Sequence, residues 1–332
     1  MNKDLIHLIE KEYQIRINDY HPLKKAWVLQ TNRGPFFLKS FVFRDGPRLQ
    51  FIDGAMRHLI KRGFNHIIPF KRTKKGDPYI SYAKEIYFMT PYIKARQCNY
   101  NNPDELSKAA SLLAELHLAS FGYRPSPDLN PQYFWGLWPR RFKEKIQHLY
   151  TFKNNLEKKA NLDQFDQIFI EKFSYYFQKA HQALDQLLKS DYQRLMFNEQ
   201  RFHSFCHHDY EYHNLLITPE NHYYVIDFDY LLCDTHLHDL ASLLIRAGRR
   251  SKWDEKKREL VIRAYHQIYP IHPEEIPIIQ AMMLFPQVYW QVAFARYFEN
   301  QPWPLERFIN DISRKTKYEK ARVKYIENLN IP

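Results

Sequence analysis

The spacing of apolar positions divides the chain into two regimes. In "MNKDLIHLIEKEYQ" they fall on one face of a short amphipathic helix. "YQIRIND" and "KKAWVLQT" follow, rich in aromatic and β-branched residues, and predict two strands; "NRG" turns the chain into a third, "PFFLKSF". From Pro47 to Arg62, the residues Leu49, Ile52, Met56, Leu59 and Ile60 recur at helical spacing, and Gly63 stands where a C-cap is expected. "HIIPFKRT", a "KKGD" turn, "PYISY" and "KEIYFMT" predict further strands. Residues 1–92 therefore read as a small lobe, an antiparallel sheet with one helix inserted after its third strand.

The second regime, residues 93–332, is mostly helical. "PYIKARQCNYNNPDE" is a connector without periodicity. "DELSKAASLLAELHLAS" and a long segment from about Gln164 to Lys189 carry amphipathic helical patterns. Two short strands, "NLLIT" and "HYYVIDF", are joined by a Pro-Glu-Asn turn, and helices resume at "DLASLLIRAG". The fold class expected is α+β, with two lobes, the larger of them helical and carrying one β-hairpin.

Composition narrows the chemistry. Hydrophobic residues make up 45% of the 332, enough for a sizeable core, and no apolar run reads as a membrane span or a signal peptide. Cytoplasmic synthesis without a membrane partner is the expectation. Cys98, Cys206 and Cys233 form no C-x-x-C pair, which points to buried free thiols. The formal charge of +12 favours anionic partners in general. The run "KRTKKGD" reads as a solvated turn, and aromatics are not interleaved with arginines, so nucleic acid is not an expected partner. The glycines are too sparse for G-x-G-x-x-G or a Walker loop.

Candidate chemistry concentrates in "FCHHDYEYHNLLITPENHYYVIDFDY", residues 205–230. Phosphoryl transfer needs a carboxylate near the attacking hydroxyl, oxygen ligands for divalent cations and a cation for the phosphates. His207, Asp209 and Asn214 match the order and spacing H-x-D-x-x-x-x-N, and Asp227 follows the apolar "YYVI" thirteen positions after Asn214. Lys39, in the third strand "FFLKSF", alternates with apolar residues and either faces a cleft or reaches to water.

Together, "FCHHDYEYHNLLI…YYVIDFDYLLCDTHLHDLASLL" resembles the catalytic segment of the aminoglycoside phosphotransferase and choline kinase group, a protein-kinase-like superfamily. With "MTPYIKARQC" and "KAASLLAELHLAS" included, nearly the whole chain resembles the CotS-type spore-coat proteins of endospore-forming bacteria. The resemblance implies Asp209 as catalytic base, Asn214 and Asp227 as magnesium ligands and Lys39 as the phosphate contact. It implies "FMTPYI" as the hinge facing adenine, with Met89, Tyr92 and Ile93 its contacts. His207, Asp229 and Asp239 would support the loop, Asp239 as a buried helix-capping acid. ATP and Mg²⁺ would be the cofactors, a small-molecule or saccharide hydroxyl the acceptor, other spore-coat proteins the partners and the coat the destination. Only about a dozen residues separate Asp227 from Asp239, too few for a peptide-docking activation segment.

The sequence departs from that pattern in three places. The expected loop "NDYHPLKK" has no glycine to let backbone N–H groups approach phosphates, and its Tyr20, His21 and Pro22 are bulky. The inserted helix offers no glutamate for Lys39, only Gln50 and Asp53. Pro91 removes one hinge donor. A catalytically inactive pseudokinase acting as a coat component or assembly scaffold is the rival reading. An HD-type metal phosphohydrolase built on His203, His207, His208 and Asp209 is a lesser one, because such ligands align on helices and β-type residues surround these.

Overall fold

The computed structural model describes residues 1–24 and 26–331. They form two compact units, each drawn from separate stretches of chain. One comprises Met1–Asn99, Glu115–Tyr133 and Phe202–Cys233; the other comprises Tyr100–Ala114, Phe134–Arg201 and Asp234–Pro332.

The first unit opens with helix α1 (Lys3–Tyr13), capped by Asn2, whose side chain accepts the Asp4 N–H. Five strands follow: β1 (Ile17–Leu23), β2 (Ala26–Thr31), β3 (Gly34–Ser40), β4 (Tyr79–Tyr82) and β5 (Glu85–Pro91). They make an antiparallel sheet in the order β1-β2-β3-β5-β4. Helix α2 (Gly46–Lys61) is inserted between β3 and β4, as its periodicity predicts. Its C-terminal turn is closed by Gly63, whose φ of +91° a side chain would resist.

Leu5, Ile9 and Tyr13 recur every fourth residue on α1 and pack against Leu29, Phe36, Leu38 and Met89 on the sheet. Each such apolar side chain contributes roughly 1.5–3 kcal/mol when buried. Phe36 and Leu38 point into this core, so the pleat turns Lys39 to the opposite face.

Two expectations for this sheet need correction. The loop expected between the first strands is largely strand, since Tyr20, His21 and Pro22 pair with Leu29, Val28 and Trp27. Proline is accommodated because β1 is an edge strand, where a missing N–H breaks no ladder bond. Leu23 pairs with Ala26, and Lys24 has a φ of 55°. Lys25, shared by the expected loop and second strand, lies outside the described residues. "HIIPFKRT" is irregular, with an isolated bridge from Ile67 to Val225; Pro69 interrupts its donor row.

The connector expected to be featureless supplies β6 (Arg96–Gln97), which pairs with β7 (Leu215–Ile217); β7 in turn pairs with β8 (Tyr223–Val225). The end of helix α3 (Pro103–Ser120) also belongs to this unit. Cys98, Cys206 and Cys233 are buried thiols outside any disulfide, as expected.

The second unit is helical: α4 (Trp138–Glu157), α5 (Gln164–Lys189), α6 (Tyr192–Phe202), α7 (His236–Arg250), α8 (Glu255–His266), α9 (Ile276–Leu284), α10 (Gln287–Tyr297), α11 (Leu305–Lys315) and α12 (Glu319–Glu327). Its core is aromatic: Phe165, Phe169 and Phe173 on α5 meet Tyr289 on α10 and Phe308 on α11. The 25-residue stretch Pro273–Tyr297 is long and apolar enough to cross a membrane by composition. It is broken at Phe285 and Pro286, and its most apolar window is 61% buried, which marks a pair of core helices.

Gly54 gives the packing a direct test. It sits on α2 against Tyr123, whose hydroxyl donates to the Phe51 carbonyl at 2.7 Å. A methyl at Gly54 would overlap that hydroxyl. Gly54→Ala is therefore expected to destabilise the protein by about 1–3 kcal/mol in urea titration, by overpacking. An exposed helix interior would instead gain roughly 1 kcal/mol, and that result would contradict the packing.

Candidate active site

All the residues singled out in the sequence except Asp239 lie in the sheet-bearing unit. Asp239 is fully buried in the first turn of α7.

The β7–β8 hairpin sets the geometry. Leu215 pairs with Val225, so Asn214 and Ile226 flank the paired ends, and the Ile226 N–H donates to the Asn214 carbonyl at 2.9 Å. On its other side β8 is held by the Val225 N–H, which donates to the His66 carbonyl at 2.7 Å. The segment before the hairpin is fastened by His207, which is fully buried. Its Nδ1 accepts the Asp209 N–H at 3.2 Å, so Nε2 carries the ring proton and donates to the Ile226 carbonyl at 2.9 Å. Both ring nitrogens are thus used within the loop, and no helix runs through residues 203–211 to align a histidine metal set.

Asn214 does the next step of positioning. Its Nδ2 donates to the Asp209 carbonyl at 2.8 Å and to Asp209 Oδ2 at 3.0 Å, which fixes the direction of that carboxylate. Its Oδ1 has no hydrogen-bond partner among the described residues. Asp227 follows β8 in a left-handed conformation, φ 65° and ψ 61°. That conformation is costly for a residue with a side chain, though aspartate tolerates it better than most, and it turns the carboxylate off the strand.

Lys39 completes the cluster. Its Nζ donates to Asp227 Oδ1 at 2.7 Å and to Asp229 Oδ2 at 2.8 Å. Burial opposes the ammonium charge, but the charges of Asp229 and Asp227, with their hydrogen bonds, outweigh it and raise the Lys39 pKa. Asp229 is only 4% exposed. Burial is the largest influence on it and, with the Asp227 charge, pushes its carboxyl up to about 6 against the pull of Lys39. Two carboxylates compete here for one ammonium.

The sequence reading missed three neighbours. The first is Arg48, buried in the first turn of α2, whose Nη2 donates to the carbonyls of Asp229 and Leu231 at 3.2 and 3.3 Å. The helix that lacks a glutamate for Lys39 therefore reaches the acids through an arginine. Asp53, the acid considered for Lys39, pairs with Arg57 and Arg72 instead. The other two are Phe43 and Tyr230, whose rings meet edge-to-face at 5.5 Å while both remain partly exposed. The Tyr230 hydroxyl is raised by burial and then by the charges of Asp209, Asp229 and Asp227, so the three acids share its surroundings. The available signal was a lone Arg directly after a helix-initiating proline.

The expected hinge residues are placed unequally. The Met89 side chain is buried against α1, and its carbonyl accepts the Lys71 N–H at 2.7 Å. The Tyr92 N–H donates to the Pro35 carbonyl at 3.0 Å. Ile93 is half-buried.

The model of the family described as "Spore coat putative kinase YutH" matches residues 6–329. The chain belongs to that family. Spore coat protein S of Bacillus subtilis (strain 168) is 22% identical over 310 residues, covering 92% of this chain and 87% of that protein. Among solved structures, the aminoglycoside phosphotransferase of Alicyclobacillus acidocaldarius superposes with a TM-score of 0.81 at 19% identity, covering 98% of this chain and 95% of that one. An AMP-bound spectinomycin phosphotransferase superposes with a TM-score of 0.69 at 16% identity, covering 99% and 98%. The fold of this chain is accordingly protein-kinase-like, the α+β class expected from the sequence.

Arg48 is the residue whose role is easiest to isolate. Arg48→Lys is expected to lose about 1.5–3 kcal/mol in urea titration, because the lysine side chain is one bond shorter and does not carry its ammonium to the two carbonyls that Arg48 Nη2 reaches. Wild-type stability in that variant would mean that the link between α2 and the acid loop carries no energy.

Proposed function

We propose that the protein binds a nucleoside triphosphate with a divalent cation and transfers a phosphoryl group to a hydroxyl of a small molecule or saccharide. The observation that carries this reading is the convergence of Lys39, Asp227 and Asp229, from distant parts of the sequence, on one set of contacts below 3 Å. The ligands this reading assigns to the ion, the Asp227 carboxylate and Asn214 Oδ1, which is unpaired among the described residues, would offer oxygen donors only. Such a set fits Mg²⁺ far better than zinc. When bound, that ion would neutralise charge developing on the transferred phosphoryl group.

In this reading the acceptor hydroxyl passes its proton to Asp209, already oriented by the Asn214 amide. Lys39 exchanges its carboxylate partners for phosphate oxygens. The Ile93 N–H is the donor offered to the base, since the Tyr92 donor and the Met89 carbonyl are committed within the sheet unit.

Family membership supports deposition in the spore coat, with coat proteins as partners. A second reading keeps nucleotide binding without turnover, with the protein a coat component or scaffold. It is favoured by the closed Lys39 bridge and by bulky, glycine-free residues at the end of β1.

Thermal stability with ATP and magnesium separates these. Ligand at a hundred times its dissociation constant is expected to add about 2.7 kcal/mol. Asp227→Asn should abolish the gain, whereas Asp209→Asn should keep it and lose ATP-dependent phosphorylation. A gain without turnover in the wild type would select the second reading, and no gain at all would end both.

A further inference from the structure

Two exposed aromatics stand beside the acid cluster and take no part in its ion pairs: Phe43, 42% accessible, and Tyr230, 47% accessible. Exposed rings on turns are ordinarily left to move, yet this pair is braced. Arg48 Nη2 donates to the carbonyls of Asp229 and Leu231, the residues on either side of Tyr230. The guanidinium of the same arginine lies 4.6 Å from the centre of the Phe43 ring. Phe43 in turn meets Tyr230 edge-to-face at 5.5 Å and is backed by Phe41 at 5.6 Å. One buried arginine therefore fixes both the backbone that carries Tyr230 and the ring that supports it.

The end of that side chain is a hydroxyl, the group the proposed reaction consumes. It makes no hydrogen bond among the described residues. Its chain neighbour Asp229 shares the Lys39 ammonium with Asp227, so the phenol is carried by the acid turn itself. Burial and then the charge of Asp209 raise its pKa, and Asp209 weighs on it more than Asp229 does. A phenol held this way stays protonated at neutral pH and needs a base before it can attack. Asp209 is the base of the proposed reaction, already directed by the Asn214 amide.

We propose that the Tyr230 hydroxyl is itself a phosphoryl acceptor, so that the chain phosphorylates this residue in cis. The inference rests on the phosphotransfer reading above. The phenol oxygen bonds to the γ-phosphorus of ATP as the bond from that phosphorus to the β–γ bridging oxygen breaks. The electron pair of the broken bond leaves with ADP, and the phenol proton passes to Asp209 and then to water. Phosphotyrosine carries about −1.5 to −2 charges at neutral pH, and beside three carboxylates it repels a second ATP. The reaction therefore limits itself.

The test is fragment mass spectrometry of the full chain after incubation with ATP and magnesium, with ADP release and the stability gain followed in parallel. The wild type is expected to accumulate phosphate on Tyr230, approaching one group per chain. Tyr230→Phe keeps the ring and should lose the phosphate while keeping the stability gain. Mixing Asp209→Asn with Tyr230→Phe leaves Tyr230 only on the chain without its base, and no phosphotyrosine is expected there. ADP release from the wild type without phosphate on Tyr230, or phosphate on other residues instead, would overturn this proposal and leave the phosphotransfer reading standing. Phosphotyrosine in the mixture would overturn transfer in cis. Neither ADP release nor a stability gain would end the phosphotransfer reading, and this one with it.

Discussion

The shared ammonium of Lys39 is the interaction on which the rest of the site depends. Asp227 and Asp229 are two residues apart, close enough to repel, and one is almost wholly buried. A pair of carboxylates removed from water without a counter-charge would cost several kcal/mol. Lys39 supplies that charge from the centre of an antiparallel sheet, on the face away from the α1 core. The position of the acids is therefore set by a strand that is itself fixed by Phe36 and Leu38.

Under the proposed function, a divalent cation and a nucleotide would be a consistent pair of ligands for this arrangement. A cation on Asp227 and Asn214 would release the lysine, and phosphate oxygens would receive it, so neither charge stays unpaired. His207, Asn214 and Arg48 make this exchange local. They tie the loop, the hairpin and the acid turn through backbone groups, so the acids can change partner without the loop changing shape.

Much of the fold was readable because its elements are locally consistent. Helix α5 carries a strong apolar period and a capping box, and its expected bounds, about Gln164 to Lys189, match the structure. In β3 the buried Phe36 and Leu38 alternate with partly exposed residues. The misreadings arose where tertiary context outweighs local signal. Pro22 suggested a loop but sits harmlessly on a sheet edge, and β6 is two residues long, held by pairing that no local pattern announces. At the site, spacing pointed to the Asp209, Asn214 and Asp227 framework because the hairpin fixes it within one short stretch. Lys39 was joined to that framework by the family resemblance, since its contacts span 188 and 190 residues, and its direct pairing with Asp229 left no local signal. Arg48 was hidden because its contacts are to backbone carbonyls, which leave no complementary acid to find.

A double-mutant cycle between Lys39→Met and Asp229→Asn, read by urea unfolding at neutral pH without ligands, tests the central interaction most directly. Both side chains are largely buried, so the account expects a coupling energy of about 1–3 kcal/mol. Additive effects, with coupling near zero, would mean that the lysine does not hold the acids together and would contradict it.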